Sequence, residues 1–165
     1  MKERVSKGND VIYFLIIYSY HISMYTRIYF DLDDTLIQDN PVTGKSEILQ
    51  SGLDRYNELC EKYPNVPKIL LTNRYSYNIK YPSVYVFDKE IGKDKMNIYI
   101  KDNIRKVRIS NLLSLKNIYL YIRGYMLFKR GHTPKLLYIF LRNVINNEKV
   151  LVIDDDRRVS GMFGG

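Results

Sequence analysis

A single cysteine, Cys60, excludes an internal disulfide from this chain and points to a reducing compartment. Stability must therefore come from a packed core, and Cys60, on an apolar helix position, reads as part of that core rather than as a nucleophile. Tryptophan is absent and tyrosine abundant, a bias that an AT-rich coding sequence produces without any functional demand. Internal repeats, low-complexity tracts and long Gly/Ser linkers are missing, which argues against arrays and loosely tethered modules. No apolar run reaches the roughly 18 residues expected of a membrane span. The strongest, Val11–Tyr20 (VIYFLIIYSY), is soon interrupted by His21 and Ser23, and no small-residue cleavage site follows it. A membrane partner is therefore not expected, and a cytoplasmic location is. Residues 1–23 read as an extension outside the core, from an upstream start or a short anchor, ahead of a single domain over residues 24–165.

At 165 residues and 19.6 kDa the chain is long enough for one sizeable core. The net charge of +8 and pI near 9.4 favour anionic partners: phosphorylated small molecules, nucleic acid or an acidic surface. The basic residues are scattered, with a modest concentration from Lys89 to Lys106, and form a solvated face rather than a binding tail.

The hydrophobic pattern places the elements. Ile28-Tyr29-Phe30, Lys68–Thr72 (KILLT) and Val150–Ile153 (VLVI) are short, unbroken apolar runs, the signature of strands buried on both faces of a parallel sheet. Gln38–Ser46, with Asn40, Pro41 and Gly44, reads as a loop. Ser51 can cap a helix in which Leu53, Tyr56, Leu59, Cys60 and Tyr63 recur at helical spacing. Pro64 and Pro67 bracket a turn. Ser83–Phe87 alternates like a further strand, and Asn97–Ile100 and Ile118–Ile122 offer short strands on either side of a basic, exposed stretch. Thr133-Pro134 opens a helix whose apolar face is Leu137, Phe140, Leu141, Val144 and Ile145, ending at Asn146-Asn147. The expected class is α/β: a Rossmann-like three-layer α/β/α sandwich with a mainly parallel sheet.

Three of these strands end in polar residues. IYFDLDDTLI runs straight into Asp31, Asp33, Asp34 and Thr35; KILLT ends at Thr72; VLVI runs into Asp154, Asp155 and Asp156. Ligands of open α/β sheets bind beyond the carboxyl ends of the strands, so these residues point to one site. Carboxylates packed so closely repel one another, and a divalent cation is the simplest way to keep them ionised.

In this order and spacing, FDLDDTLI, ILLTN, a lysine at a helix start and VLVIDDD resemble the haloacid-dehalogenase-like (HAD) hydrolase superfamily, over about residues 26–160. The resemblance implies a nucleophile at Asp31 that forms an aspartyl-phosphate, and a general acid/base at Asp33. It implies a Thr72 that hydrogen-bonds the phosphoryl oxygens. The next two residues, Asn73 and Arg74, read from the sequence either as substrate contacts or as caps of the following segment. The resemblance implies an electrostatic role for a lysine, best matched by Lys135 over Lys129, Lys93 and Lys95. It also implies Mg²⁺ held by Asp31, the backbone carbonyl of Asp33, and Asp155, with Asp154 as a further candidate. A carboxylate at position 33 favours phosphatase or phosphotransferase chemistry within that superfamily. Asp34, Asp156 and His132 have no assigned part.

About 36 residues separate Thr35 from Thr72, room for a flap and one helix, so little or no cap is expected; residues 88–130 leave space for a small insertion. Nine residues follow Asp156, which implies that the helix and strand that usually complete the superfamily's sheet are missing. The expected function is hydrolysis of a phosphomonoester on a small molecule or macromolecule. The alternative is a catalytically impaired protein of the same fold that binds nucleic acid or a protein partner.

Overall fold

The structure, a computed structural model, describes residues 25–161 and 163. The extension expected over residues 1–23, with its apolar run, lies outside the described residues. In chain order the elements are β1 (Arg27–Phe30), β2 (Ile37–Asp39), β3 (Ser46–Ile48), α1 (Gln50–Lys62), β4 (Lys68–Leu71), β5 (Lys89–Ile91), α2 (Lys93–Asn103), α3 (Leu115–Lys129), α4 (Lys135–Asn146), β6 (Val150–Ile153) and α5 (Arg157–Ser160). Single 3₁₀ turns at Ser76–Asn78, Ile104–Lys106 and Ile109–Leu112 link them.

Four strands form a parallel sheet in the order β5-β4-β1-β6, an α/β arrangement with a Rossmann-like layout. The apolar runs account for it, because a central strand such as β1 must be buried on both faces. Tyr29, Ile69, Leu71, Val150 and Val152 point to one face, into a cluster with Met96 and Ile100 of α2 and most of α4. Ile28, Phe30, Leu70 and Leu151 point to the other, against Tyr56 and Leu59 of α1 and Tyr85. Phe30 pairs with both Leu70 and Ile153, so the chain leaves β1, β4 and β6 nearly level at one edge.

The hairpin β2–β3 is the flap between β1 and α1, and its turn is narrower than the loop expected over Gln38–Ser46. Asn40 closes it by accepting from the backbone N–H of Val42 and Thr43, while Gly44 takes a left-handed φ of +64°. Ser51 is not the cap of α1; it lies one residue inside the helix, which starts without a side-chain cap. Pro134 has helical dihedrals, and the Thr133 hydroxyl accepts from Lys135 N at 3.2 Å, so the expected start of α4 holds to within a residue. Asn147 ends it in the left-handed conformation.

Three expected strands are absent. Ser83–Phe87 is irregular: the Tyr56 hydroxyl satisfies the backbone N–H and C=O of Val86 that a ladder would otherwise pair, and the Tyr85 hydroxyl anchors the segment by donating to Leu36 O. The strand next to β4 is Lys89–Ile91 instead. Asn97–Ile100 lies in α2, where Met96 and Ile100 fall on one buried face. Ile118–Ile122 lies in α3, where Leu120 and Gly124, four residues apart, face α4. In both, apolar residues three or four apart outweigh a short β-branched stretch.

Two packing predictions follow from these contacts. A Cβ on Gly52, in the first turn of α1, would lie 2.1 Å from Thr35 O, on the loop that carries Asp33. Gly52→Ala should therefore destabilise by roughly 1–3 kcal/mol in urea unfolding, and displace that loop. At the opposite edge of the sheet, Glu148 is buried and accepts from Arg27 at 2.8 Å, from Arg142 at 3.0 Å and from the Tyr29 hydroxyl at 3.2 Å. Burial raises its pKa, but the hydrogen bonds from Arg142 and Arg27 outweigh that and hold the carboxyl below its ordinary value. The unfolded chain thus binds more protons, so this stabilisation is present above pH 4.5 and lost as pH falls through the folded value. Glu148→Gln should cost about 3 kcal/mol at pH 7. Urea titrations at falling pH should show the gap to wild type closing.

Candidate active site

Asp31 is the first residue beyond β1, and its backbone N–H donates to Ile153 O at 2.8 Å, which ties it to the end of β6. Its Oδ1 accepts from Leu32 N at 2.7 Å. The chain then turns sharply: Leu36 and Ile37 both donate to Leu32 O, and Asp34 donates to Ile37 O. Asp34 sits at φ +58°, in the left-handed region that aspartate tolerates better than most residues. Leu32, Leu36 and Ile37 are buried by this turn, while Asp33 and Asp34 are left facing the cleft.

Lys135, in the first turn of α4, reaches the same point from the other side. Its side chain is 3% exposed, and Nζ lies 2.5 Å from Asp31 Oδ2 and 2.9 Å from Asp154 Oδ2. Asp154 Oδ1 accepts from Asp156 N, which shapes the turn after β6. Asp155 N donates to the Thr35 hydroxyl at 3.0 Å, joining the loops that follow β1 and β6. One carboxylate oxygen from each of Asp31, Asp154 and Asp155 lies within 4.8 Å of the others. Around them is a cleft of about 290 Å³, lined also by Asp33, Asn73 and Thr133.

The electrostatics are those of a buried cation shared between two buried carboxylates. Desolvation raises the pKa of Asp31; the Lys135 ammonium opposes this, and the Asp154 charge adds to it. Asp154 is raised for the same first reason, again against Lys135. Burial works against the ammonium too, but Asp31 and Asp154 outweigh it and hold Lys135 above the ordinary lysine value. Three carboxylates with one ammonium leave an excess of negative charge, and the donors are all oxygens. Such a set suits a hard divalent cation, and binding one would offset the cost of keeping Asp31 and Asp154 ionised.

The other expected site residues are placed differently. Asp33 lines the cleft, but its carboxylate stands outside the three-carboxylate cluster and is gripped by Arg74, whose Nε lies 2.9 Å from Oδ1 and 3.0 Å from Oδ2 and whose Nη2 also bonds Oδ1. Arg74 Nη2 also reaches Asp39 on the flap at 3.3 Å. Asn73 faces the cleft and accepts from the Thr133 hydroxyl at 3.1 Å. Thr72 does not line it: the residue is fully buried, and its hydroxyl accepts from Arg74 N at 3.1 Å. Lys93, Lys95 and Lys129 are absent from the cleft wall, as is every residue of 88–130, so no insertion from that segment lines it.

Sequence reasoning missed three participants: Thr35 as the tie to Asp155, Thr133 as a cleft residue rather than only a cap, and Arg74 as the partner of Asp33. Thr35 carried a signal, since it stands beside Asp33 and Asp34 at the polar end of the first strand. The Arg74–Asp33 pair spans 41 residues and carried none. Comparison of the chain with family models, with curated proteins and with solved structures finds no match.

Proposed function

We propose that this chain is a Mg²⁺-dependent phosphohydrolase of HAD type, cleaving a phosphomonoester through an aspartyl-phosphate on Asp31. The observation that carries the reading is the meeting of Asp31, Lys135, Asp154 and Asp155, from three separate elements, at one cleft. The Asp31 carboxylate attacks phosphorus, and the bond to the leaving oxygen breaks. Asp33 gives that oxygen its proton. The resulting Asp33 carboxylate then takes a proton from water, whose oxygen attacks the phosphorus and frees phosphate and Asp31. Lys135 balances the charge that gathers on Asp31 and the phosphoryl group. Asn73 and Thr133, which line the cleft, would contact the phosphoryl oxygens. Thr72 acts from behind them by holding Arg74 N. Asp31, Asp154, Asp155 and the Asp33 carbonyl would hold Mg²⁺, which would supply positive charge against the repulsion between these carboxylates and the incoming phosphate.

Paired with Arg74, Asp33 is a carboxylate; an incoming phosphate monoanion, as an alternative partner for the guanidinium, would free it and hand it the proton that it then gives to the leaving oxygen. The same pairing is what favours a second reading, a binding module that does not turn over. The deciding experiment is a panel of phosphomonoesters, starting from a generic aryl phosphate, assayed with Mg²⁺ and with EDTA. Mg²⁺-dependent phosphate release supports the phosphatase. An inert protein with salt-sensitive ligand binding that survives Asp31→Asn supports the module.

Thr35→Val tests the link between loops. Without its hydroxyl acceptor, Asp155 N loses its partner, and the carboxylate beside it loses its bearing. The expected result is a Mg²⁺ requirement raised about 10- to 100-fold, read from half-maximal activation, with little change in rate at saturating metal.

A further inference from the structure

Helix α3 buries only Leu120 and Gly124, against α4, although most of its residues are apolar. Its outer side carries Leu115, Tyr119, Ile122 and Met126, spaced four, three and four residues apart and hence on one stripe. These side chains are open to solvent: Leu115 is 86% exposed, Ile122 53% and Met126 46%, and Leu113 in the preceding turn is 81% exposed. Lone exposed apolar residues are ordinary, but a continuous stripe of them marks a contact surface.

The charges around the stripe have one sign. From Asn103 to Asn147 the chain contains no aspartate or glutamate. Lys116, Arg123, Lys129 and Arg130 flank the stripe on α3, and none of them is paired with a carboxylate among the described residues. A groove of about 370 Å³ runs between Tyr119, Ile122, Met126 and the two arginines. At its edge the buried Arg123 Nε has no hydrogen-bond partner among the described residues. The unpaired basic side chains along this groove ask for anions, and the apolar floor beside them asks for hydrocarbon.

We infer that this face of α3 rests on an anionic lipid bilayer as a peripheral contact, with Leu115, Ile122 and Met126 entering the acyl boundary. Lys116, Arg123, Lys129 and Arg130 meet headgroup phosphates, and Tyr119 lies at the interface between the two. A basic rim around an aliphatic centre is the pattern of interfacial helices. A nucleic-acid surface would leave the leucine, isoleucine and methionine without a partner. No helix among the described residues is long and apolar enough to cross a membrane, so the contact lies on the surface rather than through it. The inference is independent of the phosphatase chemistry, since no residue of the stripe lines the catalytic cleft.

The test is flotation of the full chain with phosphatidylcholine vesicles, with and without about one-third phosphatidylserine, at low and at physiological salt. Binding to the anionic vesicles alone is expected. Arg123→Gln with Arg130→Gln should weaken it at least about tenfold, and Ile122→Asp with Met126→Asp should abolish it, with unchanged circular dichroism in both. Equal binding to both vesicle types, or none, overturns the inference. So does loss of binding in Leu15→Asp with Ile16→Asp while the α3 variants bind normally, which would place the contact in the N-terminal apolar run. Light scattering that shows a dimer split by Ile122→Asp, without vesicle binding, overturns it in favour of a second copy. Capture of an RNA duplex but not of vesicles overturns it in favour of nucleic acid.

Discussion

Asp31→Asn should abolish phosphate release, by at least about 10³-fold, while leaving the protein folded. Asparagine keeps the shape of the side chain and can still accept from Leu32 N, so the turn after β1 keeps its hydrogen bond. What it removes is the anionic nucleophile of the proposed reaction, and no neighbour can replace it: Asp154 is spent on Lys135 and the α5 turn, and Asp33 is held by Arg74. The measurement is phosphate release with Mg²⁺, alongside an acid-quench search for a phosphorylated protein. Wild type should carry acid-stable, hydroxylamine-labile phosphate and Asp31→Asn none. Full activity in the variant would rule out the aspartyl-phosphate route. Asp33→Asn separates the roles further, since it should still accept the phosphoryl group from an activated aryl phosphate, whose leaving group needs no proton, and then release it slowly.

Lys135→Met is expected to damage stability as well as turnover. Methionine fills a similar volume, but Asp31 and Asp154 would then face each other in a buried site with no cation between them. Removing one partner of a buried ionic group costs about 3–5 kcal/mol, or roughly a 10 °C fall in midpoint for a domain of this size. In EDTA the loss should depend on pH with a definite sign. Asp31 and Asp154 already have raised folded pKa values, and loss of the ammonium raises them further. The folded state then binds more protons than the unfolded one, so stability falls as pH rises and recovers as pH drops toward the ordinary aspartate range. Added Mg²⁺ should raise the melting midpoint of Lys135→Met more than that of wild type, because it replaces the missing charge. A variant as stable as wild type in EDTA would mean that the buried triad is not the electrostatic unit described above.

Much of the site is legible in the chain because its signals are local. A run such as Ile28-Tyr29-Phe30 ending at Asp31, or Val150–Ile153 ending at Asp154, needs no knowledge of the rest of the molecule. The apolar part demands burial, the carboxylate demands an edge, and the junction of the two marks the end of a strand. The same local logic placed α1 and α4 to within a residue or two. It failed between residues 83 and 122, where Ser83–Phe87 alternates correctly for a strand yet is held by the hydroxyls of Tyr56 and Tyr85. Alternation records which side chains want burial; it does not record whether a neighbouring backbone is free to pair.

The composition and pattern of the chain were enough to dictate the class of fold, the polar strand ends and the identity of the charged residues that meet there. Folding in three dimensions settled how those charges are shared. Lys135 neutralises both Asp31 and Asp154, the Thr35 hydroxyl orients the Asp155 backbone, and Arg74 claims Asp33. The physical reason is that an ion pair or hydrogen bond depends on separations of about 3 Å between atoms. Residues 19 to 120 positions apart in the chain reach those separations only once the sheet register has set β1, β4 and β6 side by side.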